Sequence, residues 1–148
     1  MSTTPTLTGQ VIGQAHYATR ALLERAVAPL GLTFGQVLAL NVLAAGPVER
    51  TRIVHRITST LKVDEPAVHE IITGILDADL ARSASPDVDD PRMQLTDTGH
   101  DVQARVAAVV AGITARLYAD IPADEAATVA RVLTLVTQRA NAELPGTV

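Results

Sequence analysis

Four basic side chains, Arg50, Arg52, Arg56 and Lys62, fall in one short stretch of the chain, interleaved with the hydroxyls of Thr58, Ser59 and Thr60. Groups of these types suit phosphate oxygens. The cations displace condensed counterions and the hydroxyls donate hydrogen bonds, which positions a polyanion without reading its sequence. Each cation taken singly reads equally well as an ordinary solvated charge. The next stretch has the opposite character: between Asp64 and Ala81 there is no Arg or Lys, but there are Asp64, Glu65, Glu70, Asp77 and Asp79. Carboxylates are repelled by phosphates, although one can accept a hydrogen bond from cytosine N4, and a methyl such as that of Ala67 can meet a thymine methyl. The asymmetry extends to the whole chain. Residues 1–62 hold six Arg or Lys against two Asp or Glu, a balance of +4, and residues 63–148 hold six against fourteen, a balance of −8, which together give the net −4.

Other patterns carry little chemistry. Ser59-Thr60-Leu61-Lys62 matches the S-x-x-K pattern of penicillin-recognising enzymes, but no S-D-N or K-T-G follows it. Asp87-Val88-Asp89-Asp90 begins like a calcium loop and lacks the glycine and closing glutamate that such a loop needs, so a charged turn is the better account. His16, His55, His69 and His100 are scattered without an H-x-x-x-H pair. There is no glycine-rich phosphate loop and no nucleophile elbow. The absence of cysteine excludes disulfides, thiolate metal sites and a cysteine nucleophile. An enzyme is not expected, nor is a metal or other cofactor. The opening residues have no basic or apolar signal and no run approaches the roughly 18 apolar residues of a membrane span, so the expected location is the cytoplasm, with no membrane partner.

The elements that position these groups follow from spacing. A short helix ends near Leu61, Lys62 and Val63 make a tight turn, and a second helix runs from Asp64 to about Ala78. In it Val68, Ile71, Ile72, Ile75 and Leu76 recur at three- and four-residue steps and share one buried face. Asp64 is placed to cap this helix, and Pro66 sits in its first turn, where a missing N–H costs nothing. Leu80 to Ala84 and Arg92 to Leu95 flank the turn-forming run SPDVDDP and read as a two-stranded hairpin. A helix-turn-helix followed by a hairpin is a winged helix.

Around this unit the chain is helical. Aromatics make up only 2% of it, and alternating β-formers are scarce outside the hairpin. Met1 to Thr6 reads as a loose polar tail. Leu7, Val11, Ala15, Ala18, Leu22 and Ala26 form a stripe closed by Pro29 and Gly31. Thr33 and Gln36 form a capping box opening a helix that Gly46-Pro47 ends. Thr96 caps a long helix carrying Val102, Val106, Val109, Ile113 and Leu117. Pro122, Asp124 and Glu125 open a last helix with Val129, Val132, Leu133, Val136 and Ala140, and Leu144 to Val148 is expected to fray. The first and the last two helices carry more apolar surface than a small winged helix covers, which suggests an intertwined homodimer. A monomeric bundle folding them back on itself is the alternative.

The stretch Ile57 to Gly99 resembles the MarR (multiple antibiotic resistance regulator) family of winged helix-turn-helix transcription regulators. The resemblance rests on Ile57, Leu61, Val63, Asp64, Val68, Ile71, Ile72 and Ile75, then Leu80, the D-V-D-D-P-R wing, and Leu95-Thr96-Asp97-Thr98-Gly99. It implies a mainly α fold of about six helices plus a short β-hairpin wing. It also implies a single domain over residues 1–148, with dimerisation helices at 7–30, 97–118 and 122–143 and the winged helix-turn-helix at 33–96. By the same resemblance the partners would be double-stranded DNA at a pseudo-palindromic operator, a second copy of the chain, and a small aromatic or anionic effector.

The residues this assigns to DNA are Arg50, Arg52, Arg56, Thr58, Ser59 and Lys62 on or beside the first motif helix, Glu65, Ala67 and His69 on the second, and Arg82 and Arg92 on the wing. An effector pocket would draw on His16, Tyr17 and Arg20, unless Arg20 simply pairs with Glu24 one turn on. The chain departs from the family pattern in three places. About one helical turn of extra chain, roughly 3.6 residues, lies before Ile57; as added helix it would carry Arg50, Arg52 and Arg56 into solvent. Pro66, Ala67 and Glu70 stand where Ser, Thr and Arg are usual. The wing keeps a single arginine, Arg92, which can enter a minor groove or pair with Asp89 or Asp90 and stiffen the hairpin. A dimer of this fold that has lost DNA readout, and binds a ligand or a protein instead, is the competing reading.

Overall fold

Aliphatic side chains at helical spacing are buried most readily by laying helix against helix. In the computed structural model, which describes residues 4–145, six α-helices and one small antiparallel sheet do this. The helices are α1 (Gly9–Val27), α2 (Phe34–Leu43), α3 (Arg50–Leu61), α4 (Glu65–Asp77), α5 (Asp97–Leu117) and α6 (Ala123–Glu143). The strands are β1 (Val48–Glu49), β2 (Ala81–Ser83) and β3 (Arg92–Leu95), in the order β1-β3-β2. The expected tails at Met1 to Thr6 and Leu144 to Val148 lie partly outside the described residues. No single helix among those residues is long and apolar enough to cross a membrane.

Most helix ends follow local chemistry. Thr8 caps α1 by accepting from the Val11 N–H at 3.2 Å. Thr33 and Gln36 form the reciprocal capping box that their spacing predicts. Gly31, in the left-handed conformation at φ 74°, closes the turn after α1. Asp64 is a correction: it occupies the N-cap position of α4 with extended backbone, but its carboxylate makes no cap bond. Pro66 at the second helical position has no N–H to offer, and the Ala67 N–H is taken by the Asp64 main-chain carbonyl at 3.1 Å.

The sheet also differs from expectation, with three strands in place of two. Val48 and Glu49 pair with Met93 and Arg92. The additional chain before Ile57 is therefore divided between a strand and the first turn of α3, and the Arg50 N–H donates to the Pro91 carbonyl at 3.0 Å. A two-residue strand shows no alternation, and its partner lies more than forty residues away, so nothing local announces it.

The chain divides into two compact units, Met1–Ile113 and Thr114–Val148, with the boundary inside α5. In the first unit one core joins Val37, Leu40 and Leu43 of α2, Ile53 and Ile57 of α3, Val68, Ile72 and Ile75 of α4, Met93 and Leu95 of β3, and Val106 of α5. Two glycines permit close approaches within it. A methyl group at Gly35 would collide with Ile71 across the α2–α4 contact, and one at Gly99 would overlap the Leu80 carbonyl oxygen. Thr96 reinforces the second approach: its hydroxyl donates to the Asp79 carbonyl at 2.6 Å and accepts from the Gly99 N–H at 2.9 Å. The Leu-Thr-x-x-Gly motif thus fixes the root of the hairpin to the start of α5. The second unit turns through Asp120, left-handed at φ 63°, into α6, in which no residue is buried.

Candidate nucleic-acid interface

The helix-turn-helix is α3, a turn at Lys62, and α4. Lys62 takes the left-handed conformation at φ 58°, and its N–H returns to the Thr58 carbonyl at 2.8 Å. This is the stop usually assigned to glycine. The buried faces of both helices are aliphatic, with Ile53, Val54 and Ile57 on α3 and Val68, Ile72 and Ile75 on α4. At about 100° per residue, these fix where every other side chain points.

On α3 the basic residues separate into two groups. Arg52 and Arg56 are exposed and, like Lys62, have no ion-pair partner among the described residues. Arg50 departs from the solvent position expected of it. It stands three and four residues before Ile53 and Val54, hence on the inner side of the helix, and is only half-exposed. Its Nη2 donates to Nδ1 of His69 on α4 at 3.2 Å, which leaves the His69 proton on Nε2. Arg50, Thr51, Val54, Glu65 and His69 line a small groove of about 170 Å³ between the two helices. Two of the α4 residues singled out from sequence, Glu65 and His69, therefore face α3. Thr58 is occupied internally, its hydroxyl donating to the Val54 and His55 carbonyls at 2.9 and 3.0 Å, whereas Ser59 is exposed.

Opposite the buried face of α4 stand Pro66, Glu70, Thr73 and Asp77, all exposed, with exposed Ala67 beside them. Glu70 has no hydrogen-bond or ion-pair partner among the described residues. Residue type alone marks Glu70 as one of the carboxylates of this stretch and passes over Thr73. The same wheel that found Val68 and Ile72 would have found them, because the outward face is simply the complement of the inward one.

The wing is held by its own charges. Arg92 spans Asp90 with Nε to Oδ1 at 3.0 Å and Nη2 to Oδ2 at 2.9 Å, and the Arg92 N–H also reaches Oδ1 at 3.0 Å. The side-chain hydrogen bond from Arg92, backed by its N–H, holds the Asp90 carboxyl below the ordinary aspartate range, and Asp90 raises the Arg92 guanidinium in return. Of the two roles open to Arg92, this structure contains the stiffening one. Arg82, opposite Gln94 in the register, has the Gln94 amide oxygen within 3.3 Å of Nε once that amide is turned to satisfy both groups.

The three residues proposed for an effector lie along α1. His16 and Tyr17 are exposed, their rings 5.4 Å apart. Arg20 donates to Glu24 Oε1 at 2.6 Å, and its guanidinium lies 4.4 Å over the Phe34 ring, so its charge is already matched. A second small groove, of about 170 Å³ between α2 and α3, has apolar walls of Leu38, Val42 and Ile57 and a polar rim of Arg56, Asn41 and Thr60. No cluster of three or more His, Cys, Asp or Glu suited to a metal occurs among the described residues.

No family model and no curated protein sequence matches the chain. Solved structures do. A MarR-family protein of Mycobacterium tuberculosis in complex with DNA superposes with a TM-score of 0.67 over 89% of this chain and 98% of its own, at 21% identity. The same protein with salicylic acid gives a TM-score of 0.68 over 89% and 97%, also at 21% identity. A MarR-family transcriptional regulator from a Rhodococcus species gives 0.71 over 87% and 92%, at 17% identity. The chain thus has the winged-helix fold of MarR-family proteins.

Proposed function

We propose that this chain, built on the fold of MarR-family regulators, is a DNA-binding transcription regulator that acts as a homodimer on a pseudo-palindromic operator and is modulated by a small ligand. The observation that carries the reading is the set of unpaired cations Arg52, Arg56 and Lys62, grouped on a helix-turn-helix whose second helix projects an outward face free of internal contacts. Such cations position DNA, and the second helix of the motif is the one that enters a major groove. That the Mycobacterium protein of the same fold was solved with DNA supports this use of the surface. The reading implies a cytoplasmic protein and no catalysis.

The dimer is supported by apolar surface left open on the terminal helices and just before the first of them. Leu7 and Val11 are 49% and 45% exposed, and Val129 is 56% exposed on a helix that buries nothing. The dimerisation region of this reading is residues 7–30, 97–118 and 122–143, flanking the winged helix-turn-helix at 33–96. The ligand is supported by the groove beside Arg56, whose apolar walls and cation suit a small aromatic carboxylate such as the salicylic acid bound by the Mycobacterium protein. Arg56 serves that role better than Arg20, whose charge is matched by Glu24.

The test is a salt titration of binding to DNA from the promoter region of the chain's own coding sequence. A regulator binds tightly at low salt and loses affinity steeply as salt rises, and its mass in solution is that of a dimer. A second reading, a dimer that binds a ligand or a basic protein without reading DNA, is favoured by the acidic outward face of α4 and the pairing of Arg92 with Asp90. Failure to bind any genomic fragment at low salt selects it.

A further inference from the structure

We infer that Glu70 is the specificity-determining residue of α4, and that it reads a cytosine in the major groove. This rests on the regulator reading. Glu70 lies about 180° around α4 from the Val68, Ile72 and Ile75 face, is exposed, and has no internal partner. It stands between Pro66 and Thr73, one turn to either side on the same face, with Ala67 next to it. These neighbours are short, so the helix can approach base edges closely and Glu70 reaches furthest into the groove.

The charge that opposes phosphate binding then becomes the reading device. A carboxylate only accepts hydrogen bonds. Guanine presents O6 and N7 and thymine O4, all acceptors; adenine's N6 donor lies between its own N7 and the paired thymine's O4, whereas cytosine's N4 donor has an acceptor, the paired guanine's O6, on one side only. Glu70 therefore favours cytosine over the other bases, while Arg52, Arg56 and Lys62 on α3 and its turn supply the sequence-independent attraction.

The experiment selects binding sites from random duplex DNA with the full chain, then measures affinity at fixed salt for the best site and for versions with each base pair exchanged. The expected result is a cytosine at one position of the site, preferred by about tenfold over the other bases. Glu70→Gln should transfer the preference to adenine, whose N6 and N7 a carboxamide bonds together. Glu70→Ala should erase the preference at that position, so that the selected site no longer exceeds its exchanged versions there. Because Glu70 touches nothing inside the fold, unchanged circular dichroism and melting are expected for both variants. If the wild type binds DNA and both variants keep its base preferences at every position, Glu70 is not a reader and the inference falls alone. If the wild type selects no DNA, the regulator reading falls and takes the inference with it.

Discussion

The two helices of the motif bury nearly the same thing and show the solvent opposite things. α3 packs Ile53, Val54 and Ile57 inward and α4 packs Val68, Ile72 and Ile75 inward, all within 7% of full burial. Outward, α3 and its turn carry Arg52, Arg56 and Lys62, whereas α4 carries Glu70 and Asp77. The inner faces make a fold that chains with about a fifth of their residues in common also adopt. The outer face of α4 carries Pro66, Ala67 and Glu70 where the resemblance implies Ser, Thr and Arg. On the proposed function, affinity and specificity fall to different helices, with α3 holding the polyanion and α4 selecting its sequence.

The comparison breaks most violently where the inner scaffold has no slack. Gly99→Ala forces a methyl into the Leu80 carbonyl, and Ile72→Ala empties a fully buried site. Each is expected to cost about 3 kcal/mol, within the range for overpacking and for buried cavities, read as a loss of roughly 10 °C in Tm. Glu70→Ala, on the outer face of the same helix as Ile72, should stay within about 0.5 kcal/mol of wild type. A comparable loss of stability there would erase the distinction between inner and outer faces.

Smaller changes sharpen it. Arg56→Ala should leave the melting curve nearly unchanged and flatten the salt dependence of DNA binding by about one unit, the signature of one lost phosphate contact. An unchanged slope would remove Arg56 from the interface. Lys62→Gly should act in two directions at once. It relieves a left-handed residue at φ 58° and so stabilises the chain by about 0.5–1 kcal/mol, while it weakens binding through the lost charge.

The smallest expected effect concerns the wing. The Asp90 carboxyl titrates below its unfolded value, so its pairing with Arg92 contributes above the ordinary aspartate range and is lost as pH falls through the lowered value. The protection factor of the Arg92 amide, its exchange rate relative to an unstructured amide at the same pH, should be high at neutral pH and fall in acid; in Asp90→Ala it should be low throughout. If Arg92 enters a minor groove, Asp90→Ala should also raise DNA affinity by releasing it.

Much of the scaffold was legible because its signals are periodic or local. The α4 stripe, the Thr33–Gln36 box, the Thr96 cap and the turn-formers between β2 and β3 each lie within a few residues of what they determine. The candidate site was less so, because it depends on direction as well as residue type. Residue type groups Arg50 with Arg52 and Arg56 as one basic cluster, although its spacing to Ile53 turns it inward to His69. Residue type points to Glu65 and His69, which face α3, while Glu70 and Thr73 hold the outward positions. Asp64 has the right chemistry for a cap and the wrong neighbour in Pro66.

By itself the sequence determined which faces are apolar and where the helices start and stop, since those depend on interactions between residues a turn or less apart. It also determined the division of charge, positive up to Lys62 and negative after it. Only the tertiary structure decided that Val48 and Glu49 extend the wing into a third strand, that Gly99 admits the Leu80 carbonyl, that Arg20 lies on Phe34, and that Arg92 bonds Asp90 rather than Asp89. Most of these contacts join residues distant in the chain, and the last selects between two equivalent carboxylates by the shape of a turn. For the distant pairs the partner is chosen by the packing of the whole fold, and no local pattern of residue types encodes it.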